Sequence, residues 1–459
     1  MKIKFLGATK CITGSCHLLD LDNTKILLDC GLFQGKDAYK YENDKFFFNP
    51  KEIDYVILSH CHVDHSGRIP LLYKHGFRGR VICTKPTVDL CDYLLRDTAK
   101  IFEEENINLK SHNKEASNCS LYEEGDVEEV LKLFEGYDYA EKIKLNEEIC
   151  VEFKDAGHVL GSAICEILIK KSEGKIFKLV YSGDIGNVNK DILNDPQYGI
   201  DADYLIIEST YGSKLHKHEN NYPKLLKIAE KTMEKGGNVI IPCFSLGRTQ
   251  ELVYMLNRFI EAGRLLNCQV YVDSPLASAI TNIFKKYEDY FDKEAQRLIA
   301  RGDDPLEFRG LHFVDKEYKT IDHVKSGAII IVAGGIHQGG RITNQLMNNI
   351  ERRECSIIIT SYNGRKSLGS KLLNGYKEVD ILGETMKVRA SIHYMGGLSL
   401  HADKKGLLEW VNRLKKRPKK IFIVHGEGKN IETFTRELTH RNYNASMVEF
   451  QQEIEVEDN

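Results

Sequence analysis

Tyr55-Val56-Ile57-Leu58 followed, one residue on, by His60-Cys61-His62-Val63-Asp64-His65 is the stretch on which the reading of this chain turns. The first four residues are apolar, with two β-branched side chains, and predict a buried strand. In the next six, four side chains are imidazoles or a carboxylate, the ligands zinc favours when one coordination position must stay open. His60 and His62 alternate, so in an extended segment both face one side. Asp64 and His65 are neighbours and face different sides. One run can therefore serve two metal ions. With only 16 His in 459 residues, this spacing is hard to reach by chance.

Two later segments add to it. Asp155-Ala156-Gly157-His158-Val159-Leu160-Gly161-Ser162 puts His158 in a glycine-flanked turn after the strand-like 150–153. The run Phe177-Lys178-Leu179-Val180-Tyr181 reads as a strand that ends in Ser182-Gly183-Asp184. A lone His or Asp after a strand is more often a cap or turn residue. Following the first cluster in this order, the two nearly complete a two-metal ligand set.

Composition narrows the class. At 459 residues two domains and a large core are expected. Lys and Arg number 64 against 67 Asp and Glu, a net charge of −3, so no general field attracts a polyanion. Any nucleic-acid contact must come from a local basic patch or from backbone amides. The 12 Cys are scattered without a C-x-x-C pair, which suits a reduced interior better than a disulfide framework. Cys11 and Cys16 are expected to pack, and Cys61 to be a buried thiol. The first residues lack the apolar run of a signal peptide. No stretch reaches the roughly 18 apolar residues of a membrane span. A cytoplasmic location is the expectation.

Periodicity predicts strands over 25–28, 55–58, 81–83, 178–181, 204–208, 239–242, 270–272, 328–332, 356–360 and 420–424, and helices over 86–105, 124–133, 222–235, 249–262 and 403–415. This is a layered α/β pattern. The middle of the chain repeats strand, loop, helix and reads as a separate parallel-sheet domain inserted into the first.

In motif content and order the chain resembles the metallo-β-lactamase superfamily, and within it the β-CASP nucleases, most of all the subgroup of RNA 3′-end-processing endonucleases. Asp29, in Ile26-Leu27-Leu28-Asp29-Cys30-Gly31, matches the first motif, the run from His60 to His65 the second, His158 the third and Asp184 the fourth. Glu208 in Ile207-Glu208-Ser209-Thr210-Tyr211-Gly212, His401 in Ser399-Leu400-His401-Ala402-Asp403, and His425 in Val424-His425-Gly426-Glu427 match the three motifs particular to the β-CASP branch. The fold implied is a metallo-β-lactamase αββα sandwich with an inserted β-CASP α/β domain. Its parts are 1–204, the insertion 205–385, and a return at 386–459 that brings back His401 and His425.

The resemblance also implies roles. His60, His62 and His158 would bind one Zn2+, and Asp64, His65 and His425 a second, with Asp184 bridging. A hydroxide between the ions would attack phosphorus. His401 would be the general acid, oriented by Glu208; Asp64 and Asp184 join them in the catalytic set. Asp29 is expected behind the ligands, although a turn-forming Asp is as good a reading of that residue alone. Arg248, at a loop-to-helix junction, and Arg341, Lys366, His337 and Ser361, in glycine-rich loops, are the candidates for holding substrate. The chain departs from the family's usual pattern at His337 and Ser213. The activity implied is zinc-dependent, endonucleolytic hydrolysis of single-stranded RNA, with a homodimer left open. Competing readings are a DNA-directed nuclease, a small-ester or thioester hydrolase on the same fold, and an inactive scaffold subunit. Retention of all seven metal-ligand positions argues against the last.

Overall fold

The computed structural model describes residues 1–111, 120–170, 174–216, 221–265, 267–314, 321, 324–334, 340–360, 367–396 and 399–456. The chain divides into two compact units. One comprises Met1–Asn189, Asn194–Leu215 and His401–Asn459; the other, Lys190–Leu193 and His216–Leu400.

Among the described residues, the first unit holds two seven-stranded sheets. One runs in the order Glu453–Glu455, Lys2–Phe5, His17–Asp20, Lys25–Leu28, Tyr55–Ile57, Arg80–Thr84, Phe134–Tyr137. The other runs Ala445–Met447, Lys420–Ile423, Tyr204–Ile207, Ile176–Tyr181, Ala163–Lys170, Ile149–Asp155, Ile143–Lys144. Alternation along the strands builds one core from both sheets. Ile26, Leu28, Ile57 and Ile82 of the first sheet share it with Val151, Phe153, Cys165, Ile167, Leu179, Tyr181 and Ile206 of the second. The intervening residues Ile164, Val180, Leu205, Ile207, Ile421 and Ile423 face the opposite way. They pack with Leu407, Trp410 and Val411 of the helix Lys404–Asn412 and with Ile431, Phe434 and Leu438 of the helix Lys429–His440. Two sheets face to face with helices outside make the αββα layering the resemblance implied.

Parallel pairing sets the position of the loops. Lys25–Leu28 pairs in parallel with Tyr55–Ile57. Ile176–Tyr181, Tyr204–Ile207 and Lys420–Ile423 are parallel neighbours. Their carboxyl ends therefore finish at one edge, where ligands collect in open α/β sheets.

The second unit is built on a parallel sheet in the order Leu311–Phe313, Gln269–Asp273, Ala328–Ala333, Val239–Cys243, Ser356–Ile359, Ser391–Tyr394. Its central strands carry the unbroken apolar runs of a sheet covered on both faces. Ile240, Ile330, Ile357 and Ile359 lie in a core with Ile342 and Leu346 of the helix Gly340–Asn349.

The expected elements are present, with shifted ends. The helix expected over 86–105 runs Lys85–Ser111, and the strand expected over 55–58 stops at Ile57. The strand Tyr204–Ile207 pairs on both sides within the first unit. Short strands such as His17–Asp20 and Ser391–Tyr394, and the helix Lys429–His440, were not anticipated.

Candidate metal centre

The loops leaving the parallel strand ends carry almost every candidate ligand and catalytic residue. Asp29 follows Lys25–Leu28, and the run from His60 to His65 follows Tyr55–Ile57. His158 lies between Ile149–Asp155 and Ala163–Lys170. Asp184, Glu208 and His425 follow Ile176–Tyr181, Tyr204–Ile207 and Lys420–Ile423, and His401 precedes the helix Lys404–Asn412. Beyond His62 the chain turns into the short helix Val63–Ser66, which carries Asp64 and His65 and leaves the His65 ring 4.1 Å from that of His60, centroid to centroid.

Close packing fixes these loops. A Cβ on Gly31 would stand 1.7 Å from the Asp64 carbonyl oxygen, and one on Gly186 1.8 Å from that of Gly157, so only glycine lets these segments approach this closely. Asp29 and His425 adopt φ of +58° and +48°. Non-glycine residues in that region store strain, which the surrounding hydrogen bonds must hold. For His425 these are its own N–H to Ala8 O at 2.7 Å and Ser209 N–H to the His425 carbonyl at 3.1 Å.

Three groups of ligating atoms result, each with members within 4.8 Å of one another: His60, His62, His158 and Asp184; Asp64, His65 and His425; Asp184, Glu208 and His401. In the first, His62 Nδ1 lies 3.0 Å from His60 Nε2 and 3.2 Å from His158 Nε2. Asp184 Oδ2 lies 3.5 Å from both Nε2 atoms. A tetrahedral ion about 2.0–2.1 Å from each nitrogen would space its ligands about 3.3 Å apart. In the second, His425 Nε2 is 3.1 Å from His65 Nε2 and 3.5 Å from Asp64 Oδ2. Asp184 Oδ1 completes it, 3.3 Å from His65 Nε2.

Proton placement shows what these groups can hold. His65 Nδ1 sits 2.6 Å from Asp29 Oδ2 and donates to it, so in the neutral ring Nε2 carries a lone pair. His425 Nδ1 lies 3.0 Å from Thr210 Oγ1, which itself donates to the His425 carbonyl. With the Thr210 proton on that carbonyl, His425 Nδ1 donates to Thr210 and Nε2 is left as a lone pair. Ring nitrogens and carboxylate oxygens converge here, and among the described residues Asp184 Oδ1 is buried without a hydrogen-bond partner. Such a set repels itself unless a cation sits in it. The residues fit two divalent ions.

The electrostatics agree. Burial pushes His60 and His158 well below the ordinary imidazole range and His62 down to about 4, keeping all three in the neutral, ligating form. Burial opposes a charge on His65 too, but the Asp184 and Asp29 carboxylates raise it well above that range. Asp184 is held well below the carboxylate range against its burial by His425, His65 and His401. His401 Nδ1 lies 3.2 Å from Glu208 Oε1, and the carboxylates of Glu208 and Asp184 raise it despite burial. Glu208 is itself fixed by Ile185 N–H at 2.7 Å and Thr210 N–H at 3.2 Å. His401 and Asp64 keep 20% and 21% of their side chains exposed, which leaves them within reach of a substrate.

The substrate candidates fare differently. Arg248 opens the helix Arg248–Glu261 but is buried; one guanidinium nitrogen donates to Thr360 O at 3.3 Å, and its Nε has no partner. Arg341 pairs with Asp273 at 2.7 Å. His337, Ser361 and Lys366 lie outside the described residues. Three residues that sequence reasoning passed over are Ser59 and Tyr181, which bond Asp29, and Thr210, which bonds His425. Ser59 and Tyr181 flank recognised motifs, but adjacency alone gave no reason to choose them.

Comparison with known proteins agrees with the geometry. Residues 18–200 match a metallo-beta-lactamase superfamily domain, 249–372 a Beta-Casp domain, and 385–448 a Zn-dependent metallo-hydrolase RNA specificity domain. The chain is 34% identical to a ribonuclease of Thermus thermophilus, over 99% of this chain and 100% of that one. It is 31% identical to a transcription termination factor of Methanocaldococcus jannaschii, over 93% of this chain and 67% of the relative. An RNase J-like protein of the same organism is 30% identical, over 93% and 92%. A crystal structure of a protein of unknown function from Enterococcus faecalis shares the fold at 14% identity and a TM-score of 0.56, over 99% of both chains.

Proposed function

The chain belongs to the β-CASP branch of the metallo-β-lactamase superfamily, a family of metallo-hydrolases, and from that premise we propose that it is a two-zinc ribonuclease that cleaves single-stranded RNA internally. The observation that carries the reading is the sharing of Asp184. Its two oxygens face two separate sets of imidazole lone pairs, and His401, paired with Glu208, stands 3.8 Å from the same carboxylate.

His60, His62, His158 and Asp184 would hold one ion, and Asp64, His65, His425 and Asp184 the other. Bound there, the ions supply Lewis-acid charge and water whose pKa has fallen toward neutrality. The chain supplies the rest. Asp184 holds both sets in one place. Glu208, locked by two backbone amides, turns the His401 ring and keeps it protonated. His401 then gives its proton to the oxygen that leaves phosphorus, a role that needs an acid able to stay charged near neutral pH. Two of the named relatives, the ribonuclease and the RNase J-like protein, support RNA as the polymer. Among the described residues no helix is long and apolar enough to cross a membrane. We read the second unit as the part that holds the RNA backbone, with Arg248 at a helix N-terminus as its phosphate contact.

The test is incubation of the zinc-loaded chain with single-stranded RNA and DNA of one sequence, labelled at either end. Internal RNA fragments are the expected products. Mononucleotides alone would replace endonucleolytic with exonucleolytic cleavage. Preferential cleavage of the DNA would favour the DNA-directed reading.

A further inference from the structure

Behind the two ligand groups, one buried carboxylate collects four interactions. Asp29 Oδ1 accepts from the backbone N–H of Ser59 at 2.7 Å. Asp29 Oδ2 accepts from Ser59 Oγ at 2.7 Å, from the Tyr181 hydroxyl at 2.7 Å and from His65 Nδ1 at 2.6 Å. Asp29, Ser59, His60 and His65 are fully buried, and Tyr181 is 1% exposed.

The directions of these bonds follow from proton counting. An ionised carboxylate only accepts, so Ser59 Oγ spends its single proton on Asp29. Toward His60 Nδ1, 3.1 Å away, the same oxygen can then only accept. His60 must carry its proton on Nδ1 and present Nε2 as a lone pair. That Nε2 is the atom 3.0 Å from His62 Nδ1 and 3.5 Å from Asp184 Oδ2. The His65 bond to Asp29 does the same in the second group. One ligand of each group thus takes its tautomer and ring angle from Asp29: His65 directly, His60 through Ser59. Among the described residues the Tyr181 hydroxyl bonds Asp29, and it holds the carboxylate in register with both.

We propose that Ser59 and Tyr181 are positioning residues which, through the Asp29 carboxylate, orient a ligand in each metal group and so set the metal affinity of both. The inference rests on the two-zinc reading. Partners behind metal ligands commonly change affinity 10–100-fold when removed.

The experiment measures zinc affinity by competition with a chromophoric chelator, at fixed pH, for the full chain and its Ser59→Ala and Tyr181→Phe variants. Tyr55→Phe is the control, because that hydroxyl bonds Leu145 O and touches no ligand. Thermal melting of the metal-free proteins confirms folding. Ser59→Ala is expected to weaken both sites, and Tyr181→Phe chiefly the site that contains His65, by roughly 10-fold or more, with Tyr55→Phe like the parent. Because both act through one carboxylate, the double variant should lose less than the sum of the single losses; in an Asp29→Asn background Tyr181→Phe should matter no further, and Ser59→Ala should lose only its direct contact with His60. Parent-like affinity in both single variants, or losses that persist in full in the Asp29→Asn background, would overturn the inference alone. Failure of the parent to bind zinc would overturn it together with the functional reading.

Discussion

His401 Nδ1 lies 3.2 Å from Glu208 Oε1, the oxygen that also accepts the Ile185 N–H, so the imidazole leans on a carboxylate that cannot itself rotate away. His401 should therefore act without being needed as a ligand. His401→Ala is expected to keep parental metal content while cleavage falls about 10²–10⁴-fold. His425→Ala should instead lose metal. Elemental analysis beside single-turnover cleavage decides, and the reverse pattern of metal loss would refute the assignment.

The same pair governs pH dependence. The carboxylates of Glu208 and Asp184 raise His401, and a general acid works only while protonated, so cleavage should decline as pH rises through that raised value. Glu208→Gln removes one of the two carboxylates. Its alkaline limb should move to lower pH, measurable as a rate profile at saturating zinc; an unmoved limb would separate Glu208 from the proton.

Loading of the two groups should differ with pH. Burial lowers His60, His62 and His158 below the ordinary imidazole range and keeps them neutral, whereas His65 is raised by Asp184 and Asp29 and must lose a proton to bind metal. At one limiting free zinc concentration, zinc content is expected to be lower at pH 6 than at pH 8, the loss falling on the group that contains His65. Equal content at both pH values would show that His65 does not set the affinity.

His17 offers a test of stability apart from catalysis. Among the described residues neither buried ring nitrogen has a hydrogen-bond partner, and burial holds the ring down to about 3. The unfolded chain takes up this proton near pH 6.5 and the folded chain does not, so stability is lost as pH falls from 6.5 toward 3. The loss from pH 7 to pH 5 is roughly 2 kcal/mol. His17→Met should flatten the pH dependence of unfolding free energy by that order. Parallel curves for parent and variant would rule it out.

Arg248 keeps a buried guanidinium nitrogen without a hydrogen-bond partner among the described residues. Arg248→Gln should weaken RNA binding across sequences and lower the salt dependence by about one charge, with metal content unchanged. Filter-binding titrations at low and moderate salt that match the parent would assign Arg248 to holding Thr360 alone.

How far the sequence reached can be judged from single residues. The run from His60 to His65 was legible because four ligating side chains fell within six positions at the end of an apolar strand. Tyr204–Ile207 and Val239–Cys243 were legible because covered parallel strands are continuously apolar. Glu208, His401 and His425 could be chosen only through resemblance to a family, since each stands alone among ordinary turn residues. Arg341 looked like a free cation in a glycine-rich loop, and is tied to Asp273.

The sequence by itself determined the ligand types, their order and the layered α/β pattern, because local composition and period are written along the chain. The tertiary structure decided which atoms meet. His65 and His425 are 360 residues apart and bring their Nε2 atoms to 3.1 Å. Parallel pairing of Tyr204–Ile207 with Lys420–Ile423 ends both strands at one edge and sets His425 beside Glu208, and packing of the two sheets around one core brings it to His65 in the loop after Tyr55–Ile57. The same holds for Tyr181, whose hydroxyl reaches Asp29 across the core. No spacing along a strand encodes what stands opposite it in a facing sheet, so its part in holding the metal ligands became visible only in three dimensions.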